Sequence, residues 1–324
     1  MAGELWRGYV QVGKEVTAGT AVAATRRVYL EDPQMKRERE ARQHKFSVGR
    51  RDNTLNQTLG PEMVMFSGKQ PLSADELIEL LLSTVNGGVT PSGAGPYVWT
   101  FAPGTALDSH TIEWYDGARG WDGAGIVGNK LKISGSVNDR IMVDYEGMGL
   151  SMVQASPTAA LPDRVPTIIE GWETQLYIDA FGGTAGTTAV NGTLVNWEVE
   201  LTNSLEHEFF AQNDISAGVI TLGEIEVTAK LTFRADPAVA LTEFNNWDAE
   251  TKRLIQLEFG QNEVISGPDN LYVKVNLPGA WSAVNLGGSN QNSRMYELSM
   301  NYVYDTTNAY GLQIICQNGR ATAY

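Results

Sequence analysis

The sequence predicts a mainly β protein, a β-sandwich or rolled sheet flanked by one or two helices. Three observations carry that expectation. From Pro96 onward the apolar residues recur with a period of two, in strand-length runs separated by Gly, Pro, Asp and Asn. Glycine occurs 34 times, whereas long helical patterns are scarce. Several runs have one apolar and one ionic face, as in a sheet packed on a core on one side and wetted on the other.

Taken in order, Tyr9 to Leu30 alternates between short apolar and polar runs around "TAGT" and reads as extended chain with a turn. Next comes an arm that stands apart in a chain of net charge -14: Lys36, Arg37, Arg39, Arg42, Lys45, Arg50 and Arg51 are set against only Glu38 and Glu40. Without an apolar stripe to face a core, this arm reads as a solvated loop or a segment that orders on docking. "PLSADELIELLLSTVNGG" is the clearest helix. Ser73 is placed as N-cap with Glu76 three residues on, Leu77, Ile78, Leu80, Leu81 and Val85 supply a buried face, and Asn86-Gly87 supplies a left-handed stop.

"YVWTF", "TIEWY", "NKLKISGSV" and "RIMVDYEGMGLSM" then read as strands, followed by the Pro-rich bridge Ser156 to Pro166. Beyond the bridge come "WETQLYIDAF", "LVNWEVELTN" and "EIEVTAKLTFRA", a short helix expected at Asp248 to Glu258, and "LYVKVNLPG", "RMYELSMNYVY" and "GLQIICQ". In "EIEVTAKLTF" the residues Ile225, Val227, Ala229, Leu231 and Phe233 alternate with Glu224, Glu226, Thr228, Lys230 and Thr232. A one-residue slip would bury the carboxylates, which fixes the register. We expect one elaborated domain over residues 1–324, with an extended N-terminal segment and basic arm over about 1–60. A candidate insertion or second lobe lies at about 156–217. Each half carries a helix with several strands, a hint of duplication without a residue-level repeat.

Composition narrows the function. Hydrophobic content of 42% excludes global disorder. The acidic balance argues against tight binding of duplex DNA or an anionic membrane, because neutralising phosphates requires clustered Lys and Arg. No apolar run approaches the roughly 18 residues of a membrane helix, and the N-terminus shows no signal-peptide core. The single cysteine, Cys316, forbids an intrachain disulfide, fits a reducing cytosol and reads as a buried strand residue. Asn56 and Asn191 match glycosylation sequons that carry no weight without secretion.

No enzymatic constellation emerges. "GAGIVG" at Gly123 to Gly128 matches a dinucleotide fingerprint, but it is preceded by a turn and followed by a strand; that chemistry needs a strand before and a helix after. It reads as a flexible strand connection. His44, His110 and His207 lie far apart in no metal-ligand pattern, and no nucleophile elbow is present. Trp197 falls on the apolar side of its strand and reads as core. We expect no catalytic, cofactor or metal site.

In order, these segments resemble the tail tube proteins of long-tailed bacteriophages. "YVQVGKEVTAGTAVAATRRVYLED", "GPEMVMFSG" with the helix after it, "NKLKISGSVNDRIMVDYEGMG" and the closing "LYVKVNLPGAW" and "MYELSMNYVYDTTNAYGLQIICQNG" carry the resemblance, which covers most of the chain. It implies six copies per ring, with rings stacked into a hollow tube of the virion tail, assembled in the bacterial cytoplasm. The partners it implies are the chain itself, tape-measure, tail terminator and baseplate proteins, and double-stranded DNA in transit. Four strands from each of six copies, at about 4.8 Å spacing, give a wall roughly 37 Å or more across. A basic lumen would trap DNA, so Glu198, Glu200, Glu224 and Glu226, with Asp144 and Glu146, become candidates for lining it. Outward-facing solvent is the equal alternative, since alternation gives a face and not its direction. The arm Lys36 to Arg51 would dock on a neighbouring subunit or ring. The rivals are a terminator or baseplate ring of related fold and, from another class, a carbohydrate-binding adhesin sandwich.

Overall fold

A computed structural model describes residues 5–324 other than 160, 212, 237, 261–263, 267–268 and 291–292. Among the described residues the chain is mainly β, with 53% in strands and 7% helical, the latter being two α-helices and two 3-10 turns at Leu5–Arg7 and Gly171–Glu173. The first half comprises β1 (Tyr9–Lys14), β2 (Arg26–Val28), β3 (Glu31–Lys45), β4 (Thr54–Pro71), α1 (Ile78–Thr84), β5 (Tyr97–Phe101), β6 (His110–Tyr115), β7 (Gly120–Ser136), β8 (Met142–Gly149) and β9 (Ser151–Gln154). After an irregular stretch follow β10 (Thr174–Ala180), β11 (Ala189–Val190), β12 (Leu194–Thr202), β13 (Glu206–Glu208), β14 (Val219–Thr221), β15 (Glu226–Arg234) and α2 (Ala240–Asp248). The chain ends with β16 (Arg253–Phe259), β17 (Val264–Ser266), β18 (Asp269–Asn270), β19 (Tyr272–Asn290), β20 (Ser293–Tyr302) and β21 (Gln313–Asn318).

One long antiparallel sheet dominates, with strands in the spatial order β3, β4, β8, β7, β12, β15, β20, β19. Two of its strands bend out of it. The first part of β7 pairs instead with β6 and β9, and β6 pairs on with β1, which in turn pairs with β2. The first part of β19 pairs with β16 and β21, and β16 pairs on with β10, which pairs with β11. The core lies between the long sheet and these two smaller sheets.

Alternation decides which face is buried. Trp197, Val199 and Leu201 of β12 and Val227, Ala229, Leu231 and Phe233 of β15 are all buried, as the period predicts. Cys316 is likewise buried, in β21. Several sequence expectations need correction. "GAGIVG" lies inside β7, where the strand leaves one sheet for the other. Gly125 has φ +70° and donates its N–H to Glu15 Oε1 at 2.8 Å. A Cβ on Gly128 would come within 2.1 Å of Thr84 Oγ1, so glycine there lets α1 lie on the strand. Asn203 fastens the same contact, its Nδ2 donating to Thr84 O at 2.7 Å and Gly128 O at 2.8 Å.

Helix α1 is shorter than its sequence pattern and buried all round, including Glu79, Ser83 and Thr84. The expected capping box is absent: the N-cap is Leu77, and Glu76 is taken by Arg26 at 2.9 Å and Arg164 at 3.2 Å. These half-buried guanidiniums outcompete a backbone amide for that carboxylate. The left-handed residue after the helix is Gly88 (φ +67°), one position beyond the expected Asn86-Gly87 stop. The second helix is Ala240–Asp248, not Asp248 to Glu258. The residues Arg253–Phe259 form a strand held on both sides, by β10 and by β19, and these two partners override any helical tendency. From Lys36 to Lys45 the basic arm is no loop but the outer part of β3, paired with β4 in a long hairpin, while Arg50 and Arg51 lie in the connection between the two strands. Among the described residues no helix is long and apolar enough to cross a membrane.

Two expectations follow. Leu81 is fully buried; Leu81→Ala should cost roughly 2–5 kcal/mol, read from the denaturant midpoint at unchanged slope. His110 is buried beside Tyr324, and burial lowers its pKa to about 4. The unfolded chain therefore binds this proton at higher pH than the folded one. Stability from a neutral His110 is fully present above about pH 6.5 and falls by up to ~3 kcal/mol as pH drops through 4. In His110→Gln that part of the pH dependence should vanish.

Candidate assembly surfaces

The wet face of the long sheet is assembled strand by strand from registered pairs. Lys69 of β4 lies opposite Asp144 of β8, Asp144 opposite Lys132 of β7, Lys132 opposite Glu200 of β12, and Glu198 of β12 opposite Lys230 of β15. Glu146 shares the face, opposite Ser67 and Lys130, and Glu226 lies opposite Thr202. Five of the six predicted acidic residues are thus brought onto one surface. Glu224 precedes β15 and is exposed outside the strand.

That surface is interleaved rather than uniformly acidic. Lys130 Nζ meets Glu200 Oε1 at 2.9 Å, Lys132 Nζ meets Asp144 Oδ2 at 3.2 Å, and Lys69 Nζ reaches Asp144 Oδ1 at 3.8 Å. The hydrogen bond that Lys130 donates to Glu200, aided by the charges of Glu200, Glu146 and Glu198, holds the Lys130 pKa above its ordinary value. Such half-exposed cross-strand pairs each contribute only about 0–1 kcal/mol, so they set register more than stability. Sequence reasoning missed two members: Glu297 of β20, opposite Thr232, and Glu38 of β3, paired with Lys36. The lysines were legible in the same alternation, in "NKLKISG".

The arm forms the second surface. Only the base of the β3–β4 hairpin is part of the sheet, because β8 pairs with β4 from Val64 onward. Beyond it, Ala41 to Lys45 and Thr54 to Leu59 pair with one another and project outward. Arg37 Nε meets the buried Glu62 Oε2 at 2.7 Å, and Arg39 Nε donates to Gly60 O at 2.9 Å, so the inner arginines brace the hairpin. Farther out, Arg42 meets Glu40 at 3.1 Å and Arg50 meets Asp52 at 3.4 Å, while Lys45 and Arg51 are exposed near the tip. Phe46, Val48, Leu55 and Leu59 are exposed among these charges. A two-stranded ribbon with apolar residues on the outside is marginal alone, and this composition suits a surface waiting to be covered.

The third surface is the pair of sheet edges. Among the described strands β3 pairs only with β4, and Ala283 to Asn290 of β19 pair only with β20. Open edges this long are templates for further strand pairing. Against this geometry, a family model described as "Phage tail tube protein" matches residues 6–294, which include the hairpin, both sheet edges and all of the ionic face but Glu297. No curated protein matches the chain.

Proposed function

The chain belongs to the phage tail tube protein family and is a structural component of the virion tail; from that premise we propose that it closes edge to edge into rings whose wall repeats sixfold, and that the rings stack into the hollow tube that conducts DNA from capsid to host. The observation that carries this reading is the long sheet, open at both edges and ionic on one face. Ring closure joins β3 of one copy to β19 of the next and consumes both edges, a head-to-tail association that stacking then extends. The ionic face, with Asp144, Glu146, Glu198, Glu200 and Glu226, lines the bore. Its lysines are paired to neighbouring carboxylates, so a passing phosphate chain meets no cluster of available cations. The β3–β4 hairpin, with Lys36, Arg37, Arg39, Arg42, Lys45, Arg50 and Arg51, reaches a neighbouring subunit or the next ring. Tape-measure, terminator and baseplate proteins complete the tail at its centre and ends.

Negative-stain microscopy of the concentrated protein tests the reading. Long open cylinders are expected; single rings would identify a terminator or baseplate part instead. Replacing Arg42, Lys45, Arg50 and Arg51 with Gln should slow or abolish polymerisation while circular dichroism and the melting temperature stay unchanged. Normal tubes from that variant would remove the hairpin from assembly. Glu198→Lys with Glu226→Lys should leave tube length unaltered yet retard DNA ejection, more so at low salt.

A further inference from the structure

Apart from β5 in the first half and the small hairpins β13–β14 and β17–β18 in the second, the two halves of the chain repeat one another in pairing order. In the first, β1 pairs with β2 and with β6, and β6 pairs with the first part of β7; in the second, β10 pairs with β11 and with β16, and β16 pairs with the first part of β19. The returning strands β9 and β21 pair with those same first parts. In the long sheet the first half contributes β3, β4, β8, β7 and the second β12, β15, β20, β19, each in the order first, second, fourth, third. α1 follows β4 and packs on β7, as α2 follows β15 and packs on β19. One irregularity is shared as well: the β7–β8 ladder shifts between Gly128 and Lys130 as the β19–β20 ladder does between Trp281 and Ala283, although β19–β20 shifts again between Leu286 and Gly288.

These ladders superpose one half on the other in register. Lys132 corresponds to Asn285, Ile133 to Leu286, Val199 to Met35 and Glu200 to Lys36. The halves meet where β7 pairs with β12, antiparallel, with Ile133 opposite Val199 and Lys132 opposite Glu200. That seam has a counterpart left open. Ile133 is 2% exposed, whereas Leu286, its equivalent on the free edge of β19, is 53% exposed on the core side of the sheet.

We infer that the chain is two fused copies of one tube unit, and that three chains, not six, close the ring. This rests on the tube reading and sets its copy number. The occupant of the free β19 edge is β3 of a second copy of this chain, in the register of the internal seam: Leu286 opposite Met35 and Asn285 opposite Lys36. Eight strands from each of three chains give a wall roughly 37 Å or more across. Six chains would give roughly 73 Å, far wider than one duplex requires. The stretch 156–217 then holds the connection and the opening strands of the second unit.

The test places one cysteine pair across the predicted seam, Lys36→Cys with Asn285→Cys, in assembled tubes under mild oxidation. The control pair, Lys132→Cys with Glu200→Cys, lies across the internal seam. Native Cys316 does not compete, since it is buried and burial pushes its thiol far above the ordinary range. On a non-reducing gel the test pair should give bands of one, two and three chains and nothing beyond; the control should remain a single chain. A ladder running to six overturns the copy number, and tubes without interchain bands overturn the register. For the wild-type chain, scanning microscopy should give a mass per ring of three 35.3 kDa chains, and a value twice that refutes the inference whatever the variant does. Failure of the wild-type chain to form any tube refutes the tube reading and this inference with it.

Discussion

The structure depends on one constraint: side chains on an extended strand alternate, so a continuous antiparallel sheet must keep a single register from edge to edge. A slip of one residue in β12 or β15 would bring Glu198 or Lys230 into the core and expose Trp197 or Leu231. Cross-strand pairing of acid with base on the wet face reinforces the same choice. The core and the ionic surface are two consequences of one alignment, and neither can be altered without the other.

The helices show how closely the layers must fit. α1 rests on β7 because Gly128 carries no side chain and Asn203 satisfies carbonyls of both elements. α2 is anchored differently: its buried Glu243 receives two hydrogen bonds from Arg253 of β16 and one, at 2.9 Å, from the Trp281 indole of β19. In both cases a polar group is buried only where its partners are fixed by a strand, which removes the usual penalty of burying it.

Much of this was legible in the sequence. The strands β12, β15, β20 and β21 and the acidic residues on the wet face follow from period-two alternation. What escaped had specific causes. The strand β3 carries no apolar stripe because most of it is exposed on both faces, so its pairing with β4 leaves no hydrophobic period to read. Arg253–Phe259 escaped because its Gln256 and Glu258 are buried along with Leu254, Ile255, Leu257 and Phe259, held by Asn276 and Lys274 of β19, partners that only the fold supplies. Glu76 mimicked a capping residue, and only the fold brings Arg26 and Arg164 to it. The repeat lies in pairing order with no residue-level repeat beside it, so a helix with several strands in each half was its one trace in the residues.

The irregular stretch that joins β9 to β10 has a thermodynamic meaning beyond connection. A tether of this kind gives the two strands it brings together a local concentration far above what a dilute solution supplies. The β7–β12 contact therefore forms without the loss of translational freedom that every contact between separate molecules incurs. In the proposed ring half of the lateral contacts are prepaid in this way, and nucleation depends on the third power of protein concentration instead of the sixth. A phage that must begin its tails early, while this protein is still scarce, would gain most from that lower reaction order.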